Sequence, residues 1–531
     1  MTTRTLLTFL LMTSPAFAQG GSFTLNGINT GDRFGESVAA LGDIDGDGVS
    51  DFAIGASGAD YNGHNSGSID VFSGHTLSLI FRLNGAGAYH RMGIQVASAG
   101  DINGDGIPDI AGSAKRDNPW DYPSGYVQVW SGVDGSLLLT LSSTVSWDRF
   151  GTAIAGLGDV NGDGLSDIAV GSKQDTWQGP GSGTVRVFSG LDGQILHTWH
   201  GEHPWDFFGC SVVGTGDIDG DGLADLAIGA ALEDTRGRDC GAVYVLSGRT
   251  GERIRLIKGN SAFDTFGYSL ARVPDTNGDG CDELAIGGVQ AFSLSPDRPG
   301  FVQVHSGKNG EVLFLLNEFN SLETFGASLG SCDVDGDGTS DVLVGTPTAG
   351  SWSTGNLAGG GVRAFSGRSG RLLLNLEGAS GGEYMGTAVC GLRIDRNGDG
   401  QEDILVGAPG RSGIGAAEGI TPPTFISLDV SNLTAGNTAT ISASSVPPQS
   451  PVCFQASRQG YGGTAVTPWV TLDLAAPLID LGTSIAGSNG IASISGTVPT
   501  ELVGTTLYFQ AWVTNLYGPE ASSRSIHQTV Q

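Results

Sequence analysis

The chain has 531 residues, a formal net charge of −29, 88 glycines and only 15% charged residues. That acidity excludes a nucleic-acid partner, which needs a basic footprint. A hydrophobic fraction of 39%, with glycines recurring at fixed places, excludes a disordered chain and indicates turns in a β protein.

The N-terminus reads as a targeting segment. Arg4 supplies a short positive region, Leu6 to Met12 an apolar stretch, and Ala16-Phe17-Ala18 a small-x-small cleavage site, so residues 1–18 are expected to be a signal peptide. No later stretch approaches the ~18 apolar residues needed to span a bilayer. The expectation is a secreted protein, extracellular or at the cell surface.

From there the chain is periodic. A nine-residue phrase occurs seven times: DIDGDGVSD from Asp43, DINGDGIPD from Asp101, DVNGDGLSD from Asp159, DIDGDGLAD from Asp217, DTNGDGCDE from Asp275, DVDGDGTSD from Asp333 and DRNGDGQED from Asp395. The first six copies start 58 residues apart and the last step is 62. Such a period makes each unit one supersecondary element that buries its apolar surface on its neighbours. In the third unit, Phe150-Gly151 opens a strand, and the phrase and the short apolar run Ile168 to Val170 follow. Thr184 to Phe188 alternates with period two, Asp192-Gly193 marks a hairpin, and Ile195 to Trp199 is the fourth strand. Four-stranded sheets in this number close radially, so the expected fold is an all-β, seven-bladed β-propeller over residues 19–412. A linear solenoid is the alternative, but it requires capping repeats that are not seen. Ser22 to Asn26 matches a fourth strand ahead of the first unit and is placed to complete the last blade. After Pro409 no counterpart of a third strand is legible, and residues 413–423 read as a linker.

The phrase dictates hard-cation chemistry. Carboxylates at positions 1, 3, 5 and 9, with Asn at position 3 in four copies, put oxygens on one side of a turn that Gly at positions 4 and 6 allows. The position-7 backbone carbonyl adds another oxygen. The expected ligands are Asp43, Asp45, Asp47, Val49 and Asp51; Asp101, Asn103, Asp105, Ile107 and Asp109; Asp159, Asn161, Asp163, Leu165 and Asp167; and Asp217, Asp219, Asp221, Leu223 and Asp225. The series continues with Asp275, Asn277, Asp279, Cys281 and Glu283; Asp333, Asp335, Asp337, Thr339 and Asp341; and Asp395, Asn397, Asp399, Gln401 and Asp403. Six or seven hard oxygens with no His or thiolate suit calcium, up to seven ions. Loop five departs from the others through Glu283.

On the opposite face, Trp147 and Trp205 share a repeat position with Tyr89 and Phe263, which favours packing between blades. Trp120, Trp177 and Trp352 lie in loops of unequal length and are the candidate ligand contacts, with Tyr61, His64 and Tyr122 as possible companions. His197, His200 and His203 read as ordinary surface histidines. The six cysteines, Cys210, Cys240, Cys281, Cys332, Cys390 and Cys453, permit disulfides without fixing any pairing. No nucleophile elbow, zinc-protease helix, phosphate loop or dinucleotide fingerprint is present.

Beyond Thr421-Pro422-Pro423 charged residues become sparse. Alternating runs such as Thr438 to Ser444 and Thr506 to Asn515 suggest a C-terminal, Ig-like β-sandwich at 424–531.

The alternation of Phe-Gly pairs, the DxDGDGxxD phrase and Gly-Ala-Pro resembles FG-GAP repeats, the units of the integrin α-subunit N-terminal propeller, over about residues 22–412. The resemblance implies an adhesion or ligand-binding module with an extracellular protein or glycan ligand. It does not extend to integrin signalling, because no partner subunit or membrane span is visible. Two other readings remain open: a propeller enzyme or lectin acting on polysaccharide, and a purely structural wall or matrix protein.

Overall fold

The computed structural model describes residues 22–422, apart from 116–123, 144, 146, 290–299, 318–323, 349–358 and 397–399, together with the backbone of strands between 427 and 529. The first unit forms strands Phe34–Gly42, Asp51–Ala56, Ser68–Phe72 and Leu79–Asn84, each antiparallel to the next. The third unit repeats it with Phe150–Gly158, Asp167–Ser172, Thr184–Phe188 and Ile195–His200. Six such sheets follow in chain order, and a seventh combines both ends of this region, giving a seven-bladed β-propeller.

Burial explains the sequence pattern within each blade. The second strand is buried along its whole length, as in Asp167–Ser172, so it reads as a continuous small-apolar run. The outer strand, as in Ile195–His200, is partly or fully exposed along its whole length. Cores form between blades: Leu157, Ala169, Val185 and Val187 of the third pack with Phe208, Leu226, Ile228 and Ala242 of the fourth.

Close approach of the inner strands rests on glycine against glycine. The Gly of every Phe-Gly or Met-Gly pair has φ between +81° and +89°. A Cβ on Gly171 would meet the Gly209 carbonyl oxygen at 2.2 Å, and one on Gly407 would meet that of Gly35 at 2.0 Å. The second blade carries Ser113 at the matching place, where a Cβ on Gly151 would lie 2.9 Å from the serine Cβ. Side chains there would wedge the blades apart.

The seventh blade corrects the sequence reading. Residues 413–423 are not a linker, because Ala416–Ile420 is the third strand of this blade. It lies between Ile404–Ala408 and the N-terminal strand Phe23–Asn26. Its sequence, AAEGI, has neither alternation nor strand propensity; the ladder edges on both sides impose the conformation. Small side chains are what the place requires, since Ala416 and Ala417 are fully buried. Arg411 anchors the preceding turn through ion pairs with Glu383 and Glu418. The expected closing role of the N-terminal segment is what the pairing shows. Phe23 stacks on Phe52 of the first blade, with ring centroids 5.8 Å apart.

After Pro422 the chain forms a separate compact unit. Its strands pair into a three-stranded sheet of Ser427–Ser431, Thr438–Ser444 and Ala492–Thr497, a larger sheet centred on Pro451–Ser457 and Thr506–Asn515, and the hairpin Tyr461–Thr467 with Val470–Leu474.

Removing residues 19–27 leaves Ala416–Ile420 as an exposed edge. Native-state hydrogen exchange of this truncated protein is expected to show lost protection at 404–420 and retained protection in the third and fourth blades. Uniform protection across all blades would contradict the closure described here.

Candidate metal loops and the opposite face

All seven copies of the phrase connect the first strand of a blade to its second, so they lie on one face of the disk. In the first loop, Asp43 organises the turn. Its Oδ1 accepts the Gly46 and Asp47 N–H groups at 2.7 and 3.1 Å, and its Oδ2 accepts that of Gly48 at 2.8 Å. Asp45 Oδ1 accepts the Asp47 N–H at 3.1 Å, and Asp47 Oδ1 accepts the Val49 N–H at 2.9 Å. The turn needs φ of +79° at Gly46 and +88° at Gly48, which explains the fixed glycines.

Side-chain oxygens of Asp43, Asp45 and Asp51 lie within 4.8 Å of one another, and the same holds for Asp217, Asp219 and Asp225 and for Asp333, Asp335 and Asp341. Loops two, three and five have Asn at position 3, which removes one carboxylate but not the geometry. Asn103, Asn161 and Asn277 accept the N–H two residues on at 2.9, 2.8 and 2.8 Å, as Asp45 does. Backbone N–H groups of Ile107, Leu165, Leu223, Cys281 and Thr339 bond Asp105, Asp163, Asp221, Asp279 and Asp337 in turn. In the last loop Asp395 accepts the Gly400 N–H at 2.6 Å; Asn397 and Asp399 lie outside the described residues. Converging hard oxygens with no soft donor fit a divalent cation of the calcium or magnesium kind.

Position 9 has a second task that the sequence did not disclose. Asp51 is fully buried; its Oδ2 accepts the Ile44 N–H at 2.8 Å and its Oδ1 accepts the Gly74 N–H at 2.9 Å. Gly74 belongs to the turn between the third and fourth strands, so one carboxylate ties the metal loop to the rest of its blade. Asp109, Asp167, Asp225 and Asp341 repeat this clamp onto Gly132, Gly190, Gly248 and Gly367. The signal in the sequence was the Ser-Gly pair that closes the third strand of blades one to six. Glu283 makes half of the clamp. Its Oε2 accepts the Thr276 N–H at 2.8 Å, while its Oε1 is buried without a partner.

Adjacent loops also join one another. The Asp101, Asp159 and Asp333 carbonyls accept the N–H groups of Ser166, Ala224 and Glu402 at 2.9, 2.9 and 2.8 Å. Pro108 occupies the corresponding place in the second loop and has no N–H to offer.

Without a cation this burial is costly for charge. It pushes Asp109 and Asp167 up to about 6, Glu283 to about 7 and Asp341 to about 8, and raises Asp51 and Asp225 as well.

On the opposite face, Trp177 is 70% exposed and stacks on His200 at 4.8 Å, nearly parallel. Trp120, Tyr122 and Trp352 lie outside the described residues. Trp147 and Trp205 are not buried between blades, contrary to expectation: they are 62% and 58% exposed. A bond from the Trp205 N–H to the Pro180 carbonyl at 2.8 Å holds the Trp205 loop to the preceding blade and leaves its ring in solvent. The three histidines do not converge. His197 stacks on Trp199, His200 bonds Thr184, and the His203 N–H bonds Asp206. The five described cysteines are free thiols. Among the described residues no helix is long and apolar enough to cross a membrane.

A seven-bladed disk with an acidic, oxygen-lined loop in each blade defines a class of repeat propellers. The FG-GAP repeat family matches residues 34–72, 92–130, 150–188, 211–246 and 325–363. Integrin alpha-5 of Xenopus laevis is 32% identical over 219 residues, 38% of this chain and 20% of that protein. Integrin alpha-V of Gallus gallus is 31% identical over 236 residues, 41% of this chain and 22% of that protein. The chain is an integrin-like FG-GAP repeat protein, and its match spans about a fifth of these relatives' length. Among solved structures, a europium-containing methanol dehydrogenase aligns with a TM-score of 0.36 and 10% identity over 67% of this chain and 71% of that one, too weak a likeness to bear on function.

Two measurements test the clamp. For the buried carboxylates the folded-state pKa lies above the unfolded value, so in chelator the native state loses stability as pH rises from about 4 through 6–8. Bound cation holds the same groups ionised and reverses the sign. Scanning calorimetry is expected to give a higher Tm at pH 5 than at pH 8 in EGTA, and the opposite order in millimolar calcium; the same order in both would refute this electrostatic account. Separately, Glu283→Asp should complete the clamp onto Gly307 and stabilise the protein by about 1 kcal/mol, whereas Asp225→Glu should destabilise it by a similar amount. A drop in Tm for Glu283→Asp would show that loop five is built differently.

Proposed function

We propose that this is a secreted, calcium-binding β-propeller acting as an adhesion or ligand-binding module at the cell surface or in the matrix. The observation that carries the reading is sevenfold repetition: the same set of hard oxygens recurs on one face of a ring. An enzyme needs one active site, whereas seven equivalent sites serve the scaffold. In each loop the side chains at positions 1, 3, 5 and 9 and the carbonyl at position 7 would hold the ion, up to seven in all. Calcium would supply charge neutralisation rather than chemistry, fixing carboxylates that otherwise repel. Export through residues 1–18 would deliver the chain to a calcium-rich medium in which weak sites stay filled. The similarity to integrin alpha chains supports a ligand-binding role for the variable face; the ligand is an extracellular protein or glycan. A β-sandwich over 424–531 belongs to the same proposal, as the unit that spaces or attaches the disk.

Elemental analysis of the purified secreted protein is expected to find several calcium ions per chain, approaching seven. EGTA should remove them, lower the Tm and abolish binding to extracellular-matrix or glycan surfaces. A metal-free protein with a Tm indifferent to EGTA would end this reading.

A further inference from the structure

The face opposite the metal loops carries a concentration of positive charge that the rest of the chain does not prepare for. Arg33, Arg91 and Arg149 each stand immediately before the Phe-Gly or Met-Gly pair of blades one to three, with φ of +57°, +53° and +55°. In this left-handed turn the Arg33 and Arg149 carbonyls accept the N–H groups of Glu36 and Thr152, both at 3.1 Å. Lys115 and Lys173 follow the second strands of blades two and three. All five cations line one cleft of about 290 Å³ beside the inner strands, and Glu36 is the single acid among its described lining residues. These described residues sum to a charge of +4 in a chain whose total is −29.

Glu36 is already committed, to Arg33 at 2.8 Å and to the Ser57 hydroxyl. Arg149 and Lys173 have no ion-pair partner among the described residues. Burial holds the Lys173 ammonium below its usual pKa, and Arg149 and Lys115 add to this by repulsion. A half-buried cation flanked by two others is a strained arrangement that an incoming anion relieves. On the same connections an aromatic ring stands two residues before the arginine: Tyr89 before Arg91 and Trp147 before Arg149. Both have positive φ, at +64° and +67°, and both rings are exposed. Exposed aromatic faces two residues before the arginines that line the cleft suit the two surfaces of an acidic sugar, its apolar ring face and its charged substituents.

We infer that this cleft at the mouth of blades one to three is the binding site for an acidic polysaccharide bearing carboxylate or sulfate groups. Arg149 and Lys173 take the anionic groups, and Tyr89 and Trp147 carry the sugar rings. The inference rests on the ligand-binding reading above and names its ligand class.

Calorimetric titration of the full-length, calcium-loaded protein with a size-defined heparin oligosaccharide tests it, with neutral dextran as control. Saturable binding is expected, weakening steeply with added salt. Arg149→Gln, at an exposed side chain, should weaken it by about tenfold, and Arg149→Gln with Lys173→Gln should weaken it further. Trp147→Ala should weaken it with an unchanged salt dependence, which a purely ionic contact would not show. Arg253→Ala, on an outer strand, serves as the control for net charge and should leave the affinity unchanged. Heparin affinity retained in a folded Arg149→Gln variant would overturn the assignment. So would the absence of heparin binding by a protein that still adheres, calcium-dependently, to another matrix ligand, and that result would leave the adhesion reading standing. If no extracellular ligand is bound at all, both readings fall.

Discussion

The buried carboxylate at position 9 is the constraint on which the blade depends. In blades one to four and six it reaches in two directions, to the N–H that opens its metal loop and to the turn glycine between the outer strands, as Asp167 does with Val160 and Gly190. Loop geometry and sheet geometry are thereby one problem. A loop without a cation would leave a charge in a place that does not tolerate it, and the outer hairpin would share the consequence. On the proposed reading the ion is part of the packing of the blade it sits on.

The ring is built by contacts that repeat with the same period. Glycine against glycine lets inner strands approach between blades, as at Gly171 with Gly209, and an apolar residue at loop position 2 seats under the turn of the next blade. Val160 lies against Gly248 and Ile102 against Gly190, where an added Cβ would meet them at 3.0 and 2.9 Å. The turn receiving that side chain is held by its own blade's position-9 carboxylate. Each blade's fixation thus supports its neighbour, which is how many weak local sites produce one rigid disk.

What the sequence disclosed follows the same division. Blade number, strand order and metal loops were legible because each is written seven times, and repetition converts a weak local signal into a firm one. The third strand of the last blade was not legible. AAEGI has no strand pattern, and its conformation is set by the neighbours on either side, one of them nearly 400 residues away in the chain. The clamp was half legible, since Asp51 stands out in the sequence as a candidate ligand but its bond to Gly74 joins residues 23 positions apart. The exposure of Trp147 and Trp205 was misread because equivalence between repeats was taken to mean burial. Here the repeated element is the backbone turn with positive φ, and the ring it presents lies in solvent.

The two faces of the disk therefore answer to different demands. The acidic loops repeat the same turn and the same neighbours, and on the proposed reading the same ion, so they vary little: Asn for Asp at position 3, one Glu for Asp at position 9. The connections on the other face meet no such requirement beyond holding to the preceding blade. Residues there need not repeat around the ring, and they do not. The place before the Phe-Gly or Met-Gly pair is arginine in blades one to three, then Phe207, Thr265, Thr324 and Tyr384. A purely structural residue would be expected to follow the symmetry of the fold, as the glycines and the position-9 carboxylates do. A basic sector confined to three consecutive blades departs from that symmetry on the face where the scaffold leaves the sequence free to meet a ligand.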